Sequence, residues 1–360
     1  MASPPPVRFS IFIPVHNGEP WIGGAIESVL AQTYPDWELV IGDNASDDGT
    51  AAVVERYADP RIRYRRWENL VGIFESYNRT AALTTHAWVQ ELAADDRLHP
   101  DCLAVLAERI GAYPGGPGRG LAMALTAARR VNAAGERVDV QYYGYEGRQP
   151  LADGCYDSAA WLRAVCVPGS PAWNFGSAAI ARSVLDELGR YVREDDPIMS
   201  TDLELALTVA AYGDVIYVDR PLLDVSAWPE SDSHGRHARD RIEERPLTAR
   251  GAALLSGLRS HEQRRAVSEA ERRAVFAAIA RTNLQRAAGQ RYLPGGGGRP
   301  AALRDVLRAF RFSLRTMLAP ARLGRAMVVV LAPRSMVVEL RRRALQGRAL
   351  RSRGTGEPAS

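Results

Sequence analysis

The chain has no lysine, so all 46 of its basic residues are arginine. A complete bias of that kind belongs to coding composition and carries no functional weight. Three cysteines, Cys102, Cys155 and Cys166, are too few and too scattered for a disulfide framework or a zinc site, and they suit a reducing cytoplasm. No apolar run approaches the ~18 residues of a membrane span, and the opening MASPPPVRFSIFIPV shows no cleavage-site pattern. A soluble or peripheral cytoplasmic protein is therefore expected. No internal repeat is visible. What is present is ordinary for a globular protein: 360 residues, 46% hydrophobic and 24% charged, enough for one large α/β domain with extra elements.

Charge is spread unevenly. Residues 261–360 hold 21 Arg against 6 acids, while the first 260 hold 25 Arg against 36 acids. An acidic body with a basic tail points to nucleic acid, an anionic membrane surface or an acidic partner, or to nothing more than a solvated helical face.

Along the first hundred residues, strand-length apolar runs alternate with amphipathic stretches: RFSIFIPV, PWIGGAIESVLAQ, WELVIGD, DGTAAVVERYA, RIRYRR, VGIFESYNRTAAL, AWVQELA. This rhythm predicts a mostly parallel sheet with helices on both faces. Polar clusters follow the strands, HNG after the first, DNASDDGT after the second and ADD after the fourth, where open α/β sheets build their ligand crevice. Further strands are expected at LAMALTAARRV, NFGSAAIA and DVIYVD, and helices at SAAWLRAV and STDLELALTVAAYG. Beyond residue 245 the pattern is helical, broken by a glycine-rich linker at 293–300. The expected division is 1–245, with halves at about 8–110 and 111–245, followed by a basic helical region, 246–360, with a disordered end.

Two clusters carry most of the chemistry. In DNASDDGT, Asp43 and Asn44 leave a strand where their oxygens can accept the N3 proton of a pyrimidine, whereas Asp47 and Asp48 precede a helix and fit capping. In QELAADDRLHP, Asp95 and Asp96 are adjacent carboxylates. Burying both calls for a counter-ion, and a hard divalent cation is the usual one; the alternative is a pair of caps for a helix starting near His99. In the tail, Leu303, Val306, Leu307, Phe310, Leu314, Met317 and Leu318 share a helical face opposite Arg304, Arg308, Arg311 and Arg315. Such a helix lies on an anionic leaflet or packs on the body of the protein.

Taken in order, FSIFIPVHNG, AIESVLAQTYPDWELVIGDNASDDGT, ENLVGIFESYN and AADDRLHP resemble the nucleotide-sugar half of the family 2 glycosyltransferases, inverting enzymes with the GT-A fold. The resemblance covers residues 8 to about 110. It implies that Pro14, Val15, His16, Asn17, Asp43 and Asn44 hold base and ribose, that Asn69 and Asn78 flank the nucleotide, and that Asp95 takes the ribose side. Asp96 would hold Mn2+ or Mg2+ bridging the diphosphate. The family often carries a further acid where this chain has Ala93. The resemblance also implies an acceptor loop at WNFGSAAIA, including Trp173 and Gly176, and a catalytic base at Asp202, where Thr201 stands in place of a common Glu. Glu194, Asp195 and Asp196 are rivals for the base, and Asp202 also fits a simple helix-start charge. His234 is a candidate metal ligand, His237 a weaker one.

The implied activity is transfer of one sugar from a UDP- or dTDP-sugar to a glycan or lipid-linked acceptor, with no nucleic acid involved and with contact to the inner face of the plasma membrane left open. A nucleotidyltransferase would carry a glycine-rich phosphate loop where VHNGEPW stands, and a processive synthase would carry membrane spans and a QxxRW-type motif. The competing non-catalytic reading is a degenerate nucleotide-sugar binder or scaffold, suggested by Ala93 and Thr201.

Overall fold

The structure, a computed structural model, describes residues 6–115, 120–132, 135–136, 151–166, 175–192, 201–226, 249–292 and 306–307. Two compact units divide the chain: residues 1–240 with 253–275, and residues 241–252 with 276–360.

In the first unit, β1 (Phe9–Val15), β2 (Trp37–Asp43), β3 (Ile62–Arg66) and β4 (Trp88–Glu91) form a parallel block, with β1 between β2 and β4. Helices α1 (Ile22–Leu30), α2 (Thr50–Val54) and α3 (Ile73–Ala81) make the crossovers. After β5 (Arg97–Leu98) and α4 (Cys102–Gly111) come β6 (Leu121–Val131), β7 (Gly154–Tyr156), α5 (Ser158–Val165), β8 (Ala178–Ala181), α6 (Arg182–Leu188), α7 (Thr201–Val209) and β9 (Asp214–Ser226). The sheet order is β3-β2-β1-β4-β8-β6-β9-β5, with β7 also on β9. Strand β8 is antiparallel to both its neighbours, and β5 and β7 are antiparallel to β9. The other strands share one direction, so the sheet is mostly parallel, as the alternating pattern requires.

Strand β1 is buried on both faces, as its place inside the parallel block requires. Phe9, Ile11, Ile13 and Val15 face the layer that holds Ile22, Ala25, Ile26 and Val29 of α1, all buried. Full burial of each large aliphatic is worth about 1.5–3 kcal/mol. On the opposite face α3 comes very close to β2: a Cβ at Gly42 would stand 2.1 Å from Thr80 Oγ1, so only glycine admits this approach.

Helix α8 (Ala249–Arg264) continues through Ser268 into α9 (Glu269–Tyr292). Ser268 and Glu271 form a capping box, Ser268 N donating to Glu271 Oε2 at 2.9 Å and Glu271 N to Ser268 Oγ at 3.3 Å. Arg265 also donates to Glu271 Oε1 at 2.5 Å. In the second unit Ile279, Ala280 and Val306 are buried. Among the described residues no helix is long and apolar enough to cross a membrane.

Candidate active site

The carboxyl ends of β1 and β2 are laced together by their loops. Pro14 and Val15 pair with Gly42 and Asp43, and Val15 O accepts from Asn44 N at 2.7 Å. His16, exposed, donates through Nδ1 to Asn44 O at 2.9 Å. Asn17 adopts φ 53°, a left-handed conformation that asparagine tolerates. From there its amide exchanges two hydrogen bonds with Asp47, and its N–H donates to Ser46 Oγ. Asp48 accepts from Thr50 N, the first residue of α2, at 2.9 Å and from Glu19 N at 3.0 Å, whereas Asp47 is taken up by Asn17 and the N-cap itself is Gly49.

Asp43 is fully buried: Oδ1 accepts from Ser46 N at 2.8 Å and Oδ2 from the Tyr64 hydroxyl at 2.5 Å, with Arg66 Nε 3.8 Å away. Burial and the neighbouring Asp43 charge raise the Tyr64 phenol above its ordinary range. Asn44 clamps the next segment, donating to Val71 O at 2.9 Å and accepting from Val71 N at 3.0 Å. Arg79 donates to the same Asn44 oxygen and lies 4.0 Å over the Trp67 ring. Asn69 stands exposed in the segment so held.

The acid pair lies beyond β4, which ends at Glu91, in the turn before β5. Asp96 is 3% exposed. Its Oδ1 accepts from Ser226 N at 2.9 Å, and Ser226 Oγ donates to the Asp95 carbonyl, so the end of β9 grips the turn. The nearest helix begins at Cys102 after Asp101, which removes the capping role for Asp95 and Asp96. Burial, then the Asp95 charge, push the Asp96 carboxyl well above the usual carboxylate range, against the pull of Ser226 N–H, Arg130 and Arg97.

A third acid joins them. Glu91, 1% exposed and paired with Phe12 across the strands, is raised by burial, then by Asp96 and Asp95, although the Tyr77 hydroxyl donates to it. Its Oε1 has no hydrogen-bond partner. An acid inside the apolar run WVQEL was the available signal for this residue, and the reading of the twin aspartates passed over it. Tyr64, Arg130 and Ser226 were likewise missed, because each meets its acid only through strand pairing.

On the far side, Phe175–Ser177 forms a short 3-10 turn before β8, and Gly176 O accepts from Gln90 Nε2 at 2.6 Å. Phe12, Phe175 and Tyr191 gather edge to face or tilted, at centroid spacings of 4.8 and 5.6 Å. Asn78 supports this cluster from α3. Its Oδ1 accepts from Tyr191 N and Val192 N, and its Nδ2 donates to Val192 O, all at 2.8 Å. Asp202, in the first turn of α7, accepts from Leu203 N and lines a cavity of about 10 Å³ with Phe175, Tyr191 and Met123, room for about one water. Trp173, Glu194, Asp195, Asp196, His234 and His237 lie outside the described residues.

Residues 10–116 match the model of glycosyl transferase family 2. Over 117 residues the chain is 34% identical to a PGL/p-HBAD biosynthesis glycosyltransferase of Mycobacterium tuberculosis, covering 31% of this chain and 44% of that protein. It is 34% identical over 87 residues to the Escherichia coli UDP-Glc:alpha-D-GlcNAc-diphosphoundecaprenol beta-1,3-glucosyltransferase WfgD, covering 24% and 34%. The chain thus spans less than half the length of these curated relatives. S. aureus TarS 1-349 in complex with UDP superposes with a TM-score of 0.61 at 15% identity, covering 94% of this chain and 92% of that one. The likeness to glycosyl transferase family 2 thus lies in residues 10–116, and the chain shares the GT-A fold of TarS.

Proposed function

We propose that the protein is an inverting glycosyltransferase that moves a single sugar from a UDP- or dTDP-sugar to a hydroxyl of a cell-envelope glycan or lipid-linked acceptor. The observation that carries this reading is the acid turn: Asp95, Asp96 and the buried Glu91 stand at the carboxyl edge of the sheet, beside the loops that hold Asp43 and Asn44. Glycosyltransferase names among the relatives, and WfgD's UDP-Glc and diphosphoundecaprenol-linked substrate, support the donor and acceptor classes. The fold of UDP-bound TarS supports the architecture.

The residues present fit a divalent cation. The Glu91 and Asp96 carboxyls, raised by burial and then by the neighbouring acids, with the orphaned Oε1 of Glu91 behind them, form a site short of positive charge. Among the described residues no three His, Cys, Asp or Glu side chains are arranged to hold a metal alone. Asp95 and Asp96 would therefore share Mn2+ or Mg2+ with diphosphate oxygens and water, the usual pattern for such ions. When bound, the ion offsets charge on the departing nucleoside diphosphate.

The protein's own groups do the rest. The strand-end loops around Pro14, His16, Asn17, Asp43 and Asn44 position base and ribose, with Asn69 on the adjoining segment. Asp202 takes the proton of the acceptor hydroxyl as that oxygen attacks the anomeric carbon from the face opposite the nucleotide. Gly176 and Trp173 belong to the acceptor side, and His234 to the metal side. The protein acts in the cytoplasm, where its basic tail brings it to the inner face of the plasma membrane.

The test is release of UDP or dTDP from a panel of nucleotide-sugars with and without Mn2+, alongside an undecaprenyl-diphosphate-linked sugar as acceptor. Acceptor- and metal-dependent release supports the reading. Binding of nucleotide-sugar with no turnover on any acceptor would favour the scaffold reading instead.

A further inference from the structure

Strands β6 and β9 run parallel with Arg130 opposite Val225 and Val131 opposite Ser226. Ser226 is the residue that grips the acid turn, its N–H on Asp96 and its hydroxyl on the Asp95 carbonyl. The carboxyl end of β6 is thereby fixed beside the three acids. Side chains alternate along a strand. Arg129 points to one face, where Asp224 on the next strand pairs with it. Arg130 points to the other, half-buried, where its charge acts on the Asp96 carboxyl.

Arg97 is the second cation acting on Asp96. Its guanidinium is laid across α1, so close that a Cβ at Gly24 would stand 2.1 Å from Nη2. It is committed to the helix surface. Among the described residues, Arg130 is the cation acting on Asp96 whose strand pairs with the end of β9 beside the acid turn. With alanine at position 93, where an additional carboxylate would strengthen a metal's hold, more of the compensation for a diphosphate passes to it.

We propose that Arg130 is a leaving-group residue: its guanidinium binds the terminal phosphate of the nucleoside diphosphate, and in the ligand-free protein it serves as counter-ion to the acid turn. The assignment rests on the transferase reading above. A guanidinium suits both roles, since its planar fork matches carboxylate and phosphate alike and stays charged at any working pH. Negative charge builds on the diphosphate as the sugar departs, and a preplaced cation there lowers the barrier without reorganisation.

The test is calorimetric titration of the full chain with UDP and UMP, and with the dTDP/dTMP and GDP/GMP pairs, with and without Mn2+, for wild type, Arg130→Met and Arg130→Lys. Wild type is expected to prefer the diphosphate of its nucleotide to the monophosphate even in chelator. Arg130→Met should lose about 10- to 100-fold in diphosphate affinity, as for a hydrogen bond to a charged group, while monophosphate affinity changes little. Arg130→Lys keeps the charge but loses the fork, and should lower the diphosphate preference by a smaller factor; it decides the matter if the methionine variant does not fold. Equal loss of diphosphate and monophosphate binding would mean that Arg130 only supports Asp96 and would overturn the assignment. So would an unchanged preference in both variants. If wild type binds none of these nucleotides the transferase reading falls first, whereas a diphosphate preference insensitive to Arg130 leaves that reading standing and removes only this residue.

Discussion

Asn78→Ala tests whether this asparagine is a structural clamp or a nucleotide contact. In the structure its side chain serves three backbone groups at 2.8 Å: Tyr191 N, Val192 N and Val192 O. Tyr191 and Val192 are each 2% exposed, so water cannot readily replace the lost partners. At about 1 kcal/mol net per hydrogen bond, more where a freed group stays dry, the substitution should cost about 2–4 kcal/mol. For a domain of this size a loss near 3 kcal/mol corresponds to a Tm lower by about 6–12 °C. Urea midpoints and thermal melts of the full chain measure it. The Tyr191 ring, which packs on Phe12 and Phe175, would loosen with its backbone, so near-ultraviolet circular dichroism should weaken too. Asn69→Ala, at an exposed position, serves as the contrast, with stability expected within about 0.5 kcal/mol of wild type. An Asn78→Ala variant as stable as wild type but unable to bind nucleotide would refute the clamp.

Asp202→Asn should lower kcat by about 10²- to 10⁴-fold with donor affinity nearly unchanged; a working Asp202→Asn beside a dead Asp195→Asn or Asp196→Asn would move the base. Asp96→Asn should abolish transfer while the melting temperature holds or rises, since a buried, strained carboxyl is relieved; full activity of that variant, or of wild type in chelator, would remove the metal from the reaction. Glu271 is held down to about 2, against burial, by hydrogen bonds from Arg265 and Ser268. Its folded pKa is depressed, so its contribution is present above about 4.5 and fades as pH falls toward about 2. Glu271→Gln should flatten that part of the stability profile, and an unchanged acid limb would refute the pairing. Cutting the chain at the glycine run, residues 295–298, should abolish salt-sensitive co-sedimentation with anionic vesicles; equal binding by both forms, or by neither, would count against the membrane role.

The local elements were legible in the sequence because their causes are local. Strand-length apolar runs make β1 and β2, helical spacing makes α1, α5 and α7, and Asp48 ahead of Gly-Thr holds the start of α2. The crevice was legible as well, because in a parallel block every strand delivers its following loop to the same edge, and Val15 and Asp43 do meet there. Tertiary structure decided what each acid means. Asp95 and Asp96 are adjacent and identical in type, and the fold sets the Asp96 carboxylate against the N–H of Ser226, 130 residues away. Strand β8 enters between β4 and β6 in the opposite direction, something no periodicity within NFGSAAIA encodes. Glu91, an unremarked residue in WVQEL, becomes a buried acid of the site because sheet, aromatic ring and acid turn close around it together. Periodicity and capping depend on neighbours along the chain; the energy of a buried charge depends on everything packed around it, and only the fold sets that.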